Sequence, residues 1–143
     1  MKAIIFPGQG SQKAGMVSEF QSNFKIVKDI LDRVDNALKF SLSKIILNGT
    51  DEDLKKTEIT QPAILTTSFA IFSVLKQEFN FDLSKVKYIA GHSLGEYSAL
   101  VASGSLSLEE AVTLVHERGK LMQEAVPEGK GAMLAVMGLK KDE

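Results

Sequence analysis

The 143-residue sequence has no cysteine, no excess of one charge and no long apolar run, and each absence removes a class of function. Without cysteine, disulfide bonds, cysteine-ligated zinc and a thiol nucleophile are excluded. The 17 basic and 18 acidic residues give a net charge of −1, which offers no basic field to nucleic acid or to an anionic membrane. No run approaches the roughly 20 apolar residues of a membrane span, so we expect a cytoplasmic protein.

A short apolar run that ends in a Gly-x-Ser-x-Gly turn is the most informative stretch of the sequence. Residues 86–90 have the β-branched and aromatic character of a buried strand, and good helix formers follow from Tyr97. A strand, a sharp turn at 91–95 and a helix are the context of a nucleophile elbow, which exposes its serine, here Ser93, at the edge of a sheet. On the pentapeptide alone, an ordinary glycine-rich turn remains the alternative.

The amino-terminal part predicts a second feature of interest, a loop directly after a strand. Residues 3–6 are typical of a fully buried strand, and residues 7–12 form a glycine-punctuated loop rich in side-chain amides. Such a loop can present backbone N–H groups to a ligand, although it lacks the lysine and the spacing of a phosphate-binding loop. A turn with polar decoration is the competing interpretation.

The middle of the sequence predicts helices that flank a parallel sheet. An amphipathic helix is expected over 24–38, and one or two short helical turns over 40–57. Pro62 suits the first position of a long, apolar helix, which we expect to lie buried against the sheet. A long helix between the two predicted strands favours a parallel α/β arrangement.

A helix is predicted over 108–125, introduced by a capping box between Ser107 and Glu110. Arg118 falls in the middle of its predicted apolar face and must find an anion, because an unpaired buried charge costs several kcal/mol. An internal carboxylate, or a side chain that extends to the edge, is the alternative to a ligand. His116 is predicted on the solvated face. The apolar face comprises Ala111, Leu114, Val115, Leu121, Met122 and Ala125.

The last residues suggest that the chain ends inside a second unit. After Pro127 and a flexible break at 129–131, residues 132–138 are typical of a strand that has no sheet partner downstream. We therefore expect a large unit over 1–126 and the start of a smaller one over 127–143. Neither histidine is a convincing base for Ser93, since His92 adjoins it at a turn where neighbouring side chains diverge.

Four separated segments resemble one family when they are taken together and in order. They are FPGQGSQ at 6–12, TQPA at 60–63, GHSLGEYSA at 91–99, and RG at 118–119 with MQ at 122–123. The sequence is similar to the malonyl-CoA:acyl carrier protein transacylases of bacterial fatty acid synthesis and to the related acyltransferase domains of polyketide synthases. The likeness runs from Met1 to about Leu139.

The resemblance implies an α/β-hydrolase-like parallel sheet core flanked by helices, with the chain ending at the start of a ferredoxin-like small subdomain. It implies Ser93 as the nucleophile that attacks the malonyl thioester, and the backbone N–H groups of Gln9 and Leu94 as the oxyanion hole. It implies Arg118 as the residue that binds the malonyl carboxylate, with His92 and Gln61 also at the substrate. The implied partners are malonyl-CoA and acyl carrier protein, with no metal, no cofactor beyond the coenzyme A thioester, and a monomer at full length.

One departure from the family concerns the general base. The catalytic histidine of these enzymes lies in their carboxyl-terminal half, and this sequence ends before it, so we expect a fragment that cannot turn over by itself. Two rival functions remain: an esterase-like serine hydrolase, and an inactive truncated fragment that binds carrier protein. Arg118 argues against the hydrolase, because a generic esterase has no use for a buried cation. Acceptance of methylmalonyl groups is left open.

Overall fold

A computed structural model of the chain describes residues 2–127, 130–131 and 138. Within these residues, two strands and six α-helices follow one another in an order typical of α/β proteins. They are β1 (Lys2–Phe6), α1 (Ser18–Asn23), α2 (Lys25–Leu38), α3 (Leu42–Asn48), α4 (Thr57–Gln77), β2 (Val86–Gly91), α5 (Gly95–Ser103) and α6 (Leu108–Ala125), with single 3-10 turns at Asp53–Lys55 and Leu83–Lys85. The predicted strand at 132–138 and the small unit that begins at 127 lie, apart from isolated positions, outside the described residues.

The two strands pair in parallel, as predicted, with Phe6 opposite Gly91 at their carboxyl ends. The prediction that the first strand is fully buried is wrong, since Ile5 is 74% exposed and only Phe6 is buried. Side chains alternate along a strand, so Ile4 and Phe6 face the helices while Ile5 faces the open side. In the described part of the chain each strand has one neighbour, which leaves the other edges and one face of the sheet uncovered.

Helix α4 is the centre of the hydrophobic core. It packs between α2, α5 and α6 and reaches the sheet mainly through Phe72, whose ring lies 6.1 Å from that of Phe6. The prediction that this helix is buried against the sheet is therefore right about burial and wrong about the main partner. The helix also begins at Thr57 rather than at Pro62. Pro62 has no N–H to donate to the carbonyl of Glu58, and the side chain of His116 donates to that carbonyl instead.

Helix α4 is also long and apolar enough, by length and composition, to cross a membrane. Its most apolar window has a mean hydropathy of 1.2, but 72% of that window is buried inside the protein. Burial on this scale is typical of a core helix, so the sequence of α4 is explained by its packing.

Helices α2 and α6 complete the helical layer. The predicted apolar face of α2 is confirmed, since Val27, Ile30, Leu31 and Val34 are all buried. The capping box of α6 is confirmed too, but its predicted apolar face is partly wrong: Leu114 and Leu121 are 49% and 64% exposed. The predicted Ala111 and Val115 are buried, and the helix is rotated so that Leu108, Val112 and the backbone at Gly119 are buried with them. A methyl group at Gly119 would lie 2.6 Å from the Cα of Glu58, so the missing side chain lets α6 approach α4 closely.

Candidate active site

Ser93 occupies a sharp turn between β2 and α5, as the sequence predicts for a nucleophile elbow. Its φ angle is 50°, in the left-handed region that non-glycine residues rarely adopt, and the residue is exposed. Gly91 and Gly95 cross so closely that a Cβ on Gly91 would overlap the backbone of Gly95. The two glycines therefore make the turn possible, and the strained residue between them is the serine.

The loop after β1 lies directly against this turn. The backbone N–H of His92 donates to the carbonyl of Phe6 over 3.2 Å, and a Cβ on Gly8 would lie 2.8 Å from the carbonyl oxygen of His92. Among the hydrogen bonds of the described residues, none uses the backbone N–H of Gln9 or Leu94. The fold thus brings to one corner the two segments that carry the predicted oxyanion-hole donors.

The guanidinium of Arg118 reaches the same corner from α6. Its Nη2 lies 3.3 Å from the Oγ of Ser93, its Nη1 donates to the Oε1 of Gln61 over 2.7 Å, and the group lies 5.8 Å from the ring centre of Tyr97. Over residues 2–127, no carboxylate comes within 4.0 Å of it, so the internal ion pair considered from the sequence is not found there. A half-buried cation beside the serine is available to an external anion.

The surface around Arg118 is apolar, although it is not the core that the sequence predicts. It is lined by Leu114, Leu121, Met122 and Ala125, together with the stem of Glu117. The predicted apolar setting of Arg118 is thus retained on the surface of α6.

Gln61 is fully buried and holds both ends of its side-chain amide in hydrogen bonds. The Oε1 accepts from Arg118, and the Nε2 donates to the sulfur of Met122 over 3.2 Å. The thioether accepts but has no proton to donate, so the contact orients the amide with its oxygen toward the guanidinium. Tyr97 and Met122 lie in segments that carry the family resemblance, but their contacts with Arg118 and Gln61 are not predicted by the sequence, since they join side chains of three helices.

The two histidines behave differently from one another. His92 is exposed and its ring lies against the loop at Gly8. The prediction of a solvated His116 is wrong: the ring is half-buried, its Nδ1 lies 2.8 Å from the carbonyl oxygen of Glu58, and it packs against Phe40. In the described ranges, the one hydrogen-bond partner of the Ser93 hydroxyl is Arg118, which cannot accept a proton.

The chain is similar to known proteins over most of its length. The family model described as the acyl transferase domain matches residues 3–143. The malonyl CoA-acyl carrier protein transacylase of Haemophilus influenzae is 48% identical over 96% of this chain, which covers 43% of that protein. The chain therefore spans less than half the length of this relative.

Solved structures extend the likeness to three dimensions. An acyl carrier protein S-malonyltransferase from Vibrio cholerae is 44% identical, with a TM-score of 0.88 over 98% of this chain and 45% of its own. A type II PKS acyl-carrier protein in complex with its malonyl-transacylase gives 46% identity and a TM-score of 0.82, over 89% of this chain and 40% of the other. These matches confirm the α/β class predicted from the sequence.

Proposed function

Because the chain belongs to the acyl transferase domain family, we propose that it carries the nucleophile and the acyl-binding cation of a malonyl-CoA:acyl carrier protein transacylase. The observation that supports this most strongly is the distance of 3.3 Å between the Nη2 of Arg118 and the Oγ of Ser93. In a malonyl thioester, one methylene separates the reacting carbonyl from the carboxylate. A cation for that carboxylate must therefore lie beside the nucleophile, as Arg118 does.

Selectivity for malonyl over acetyl groups follows from the position of Arg118 beside Ser93. A guanidinium can bind a carboxylate through two parallel hydrogen bonds, and the half-buried position of Arg118 makes that pair stronger than a fully exposed one. An acetyl group offers no charge, so it leaves the cation without an anion and is bound less well. The neutral Gln61 orients Arg118 without cancelling its charge.

The reaction we propose has two displacements. The Oγ of Ser93 attacks the thioester carbon and gives its proton to a base, the carbon–sulfur bond breaks, and coenzyme A leaves as its protonated thiol. The phosphopantetheine thiol of acyl carrier protein then attacks the serine ester, takes the malonyl group and returns the proton to Ser93. The unused N–H groups of Gln9 and Leu94 would stabilise the negative oxygen in both steps.

The base is the part of the mechanism that the described residues do not supply. His116 uses its Nδ1 at the carbonyl of Glu58, and the Ser93 hydroxyl meets only a guanidinium within 2–127. We propose that a histidine outside these residues completes the site, as the resemblance implies. The proposal requires no metal and no cofactor besides the substrate, and it places the reaction in the cytoplasm with a monomeric enzyme.

Mass spectrometry of the protein after incubation with malonyl-CoA tests the proposal. We expect a malonyl ester on Ser93, formed slowly by these 143 residues and rapidly by a longer protein that also carries the histidine. Ser93→Ala should remove the adduct in both. If the longer protein forms no adduct, or if it hydrolyses simple esters faster than it transfers malonyl groups, the transacylase assignment is wrong. Sustained transfer to carrier protein by the 143 residues alone would contradict the need for an external base.

A further inference from the structure

Helix α4 contains a carbonyl group whose usual hydrogen-bond donor is missing. Pro62 lies inside the helix and has no N–H, so the carbonyl oxygen of Glu58, four residues earlier, loses its normal partner. The Nδ1 of His116 on α6 lies 2.8 Å from that oxygen. A carbonyl only accepts hydrogen bonds, so the Nδ1 must carry the proton and act as the donor.

This bond lies beside a close approach between α4 and α6. A Cβ on Gly119 would be 2.6 Å from the Cα of Glu58 and 2.7 Å from the carbonyl oxygen of Thr57. The His116 ring is half-buried and lies 5.3 Å from the ring centre of Phe40. The imidazole is thus fixed on one side by packing and on the other by the carbonyl that Pro62 leaves unpaired.

The next cross-link between the two helices is the one that holds the candidate anion site. Gln61 follows Glu58 by one helical turn on α4, and Arg118 follows His116 on α6. The Arg118–Gln61 bond is 2.7 Å long, and a relative displacement of the helices by about 1 Å would take it beyond hydrogen-bond length. The position of α6 against α4 therefore determines where the guanidinium stands relative to Ser93.

We propose that His116 is a positioning residue for Arg118. Its Nδ1–H satisfies the Glu58 carbonyl, fixes the rotation and distance of α6 on α4, and so holds the guanidinium against Gln61 and Ser93. The competing explanation is that the imidazole only fills space beside Phe40, in which case an aromatic ring without a donor would serve equally well. The effect on substrate selection rests on the proposed function, whereas the effect on the helix contact does not.

Two variants at position 116 separate these explanations. His116→Phe keeps an aromatic ring beside Phe40 and removes the donor, while His116→Asn keeps a donor near the place of Nδ1. We expect His116→Phe to lower the folding equilibrium constant by up to about tenfold, because a partly buried acceptor is left without its protein donor. It should also speed hydrogen exchange of the Arg118 guanidinium, followed by nitrogen NMR. His116→Asn should bring both the folding equilibrium constant and the guanidinium exchange rate most of the way back to the values of the unaltered chain. If His116→Phe and the unaltered chain have the same folding equilibrium constant and the same guanidinium exchange rate, the proposal is overturned.

Pro62 provides an independent control through a double-mutant cycle. Pro62→Ala returns a backbone N–H to the Glu58 carbonyl, so the loss of the His116 donor should matter much less in that background. We expect His116→Phe to change the folding equilibrium constant at least threefold less when Pro62→Ala is present. The same change in both backgrounds would show that His116 acts by packing and would overturn the proposal. If His116→Phe alone does not fold, folding of the double variant supports the proposal and its failure to fold overturns it.

Calorimetric measurement of malonyl-CoA and acetyl-CoA binding tests whether the contact between His116 and the Glu58 carbonyl affects substrate selection. We expect His116→Phe to weaken malonyl-CoA binding about tenfold, with less change for acetyl-CoA, and His116→Asn to recover it. Unchanged malonyl-CoA binding in His116→Phe, together with unchanged guanidinium exchange, would overturn the positioning role. Failure of the proposed function would instead appear as no preference for malonyl-CoA in the unaltered protein, with the NMR effects of the variants intact.

Discussion

Arg118 donates a 2.7 Å hydrogen bond to the buried amide oxygen of Gln61, a partner that fixes its position and leaves its charge uncompensated. Arg33 shows the contrast, because it forms two hydrogen bonds with the Glu109 carboxylate at 2.7 and 3.1 Å. Arg118 is oriented by Gln61 and its charge is available to an external anion, while the charge of Arg33 is neutralised by the carboxylate of Glu109. This difference, rather than exposure alone, makes Arg118 the candidate for binding an anion.

Replacement of Arg118 by alanine should reduce malonyl transfer and relax the choice between malonyl and acetyl groups. A hydrogen-bonded charge pair contributes about 1.5–3 kcal/mol, so we expect the malonyl-to-acetyl ratio of kcat/KM to fall by about 10- to 100-fold. The measurement is transfer of each group to carrier protein by a protein that contains the complete site. Arg33→Ala, which removes a guanidinium already paired with Glu109, is the matched control and should leave the ratio unchanged. Equal losses for both acyl groups would contradict the assignment of Arg118.

Replacement of Gln61 by glutamate should also reduce the preference for malonyl over acetyl groups, but for a different physical reason. A carboxylate at the Gln61 Oε1 position would pair with Arg118 over a similar distance and occupy the charge that a malonyl group needs. We expect malonyl-CoA to bind at least tenfold more weakly, with acetyl-CoA binding nearly unchanged, as measured by calorimetry.

Gln123→Glu is the control for this change, because it adds the same charge to the α4–α6 contact through a side chain that meets Thr57 and Val126. It should have a much smaller effect than Gln61→Glu. A comparable loss of malonyl-CoA affinity in both variants would indicate that general repulsion, and not occupation of Arg118, weakens binding.

The Arg33–Glu109 pair should make a small, pH-dependent contribution to stability. The guanidinium donates hydrogen bonds to the carboxylate and holds the pKa of Glu109 below its ordinary value. A lowered carboxyl pKa in the folded state stabilises the protein above the unfolded pKa of about 4.3, and this stabilisation is lost as the pH falls through the lowered value. Both side chains are about half exposed, so the contribution is at most about 1 kcal/mol.

Urea unfolding of Arg33→Gln and of the unaltered chain measures this contribution. The variant should be less stable at neutral pH, and the two proteins should converge in acid, once the pH has fallen through the lowered pKa of Glu109 and the carboxyl is protonated. Lys25→Gln, which removes a lysine whose side chain is 88% exposed, should cost little at any pH. A difference for Arg33→Gln that persists at acid pH would show that its aliphatic stem, and not the ion pair, stabilises the fold.

The corner that carries Ser93 could be predicted because its requirements are local. An apolar run, two glycines four residues apart and a following helix all lie within a short stretch, and each residue type has one structural use there. The structure confirms the strand, the turn and the helix at the predicted places. Arg118 could also be singled out, since a charge in an apolar pattern is visible before any contact is known.

The contacts between α4 and α6 could not be predicted, because they depend on the rotation of one helix against the other. A helical wheel places Leu114 and Leu121 inside and His116 outside, whereas the close approach at Gly119 turns the helix the other way. The start of α4 was misplaced for a related reason. Pro62 normally marks a first turn, whereas here the helix extends in front of it and His116, distant in the sequence, donates to the Glu58 carbonyl that the proline leaves unpaired.

The left-handed backbone at Ser93 lowers the free energy of unfolding, and interactions elsewhere in the fold must compensate for it. An L-residue in this conformation loses roughly 1–2 kcal/mol relative to glycine, so glycine at this position would give a more stable polypeptide with no hydroxyl to acylate. Screening variants of the chain for heat resistance alone would therefore favour loss of the nucleophile. Thermal tolerance and reactivity compete at this single residue, and any effort to strengthen the protein has to leave position 93 untouched.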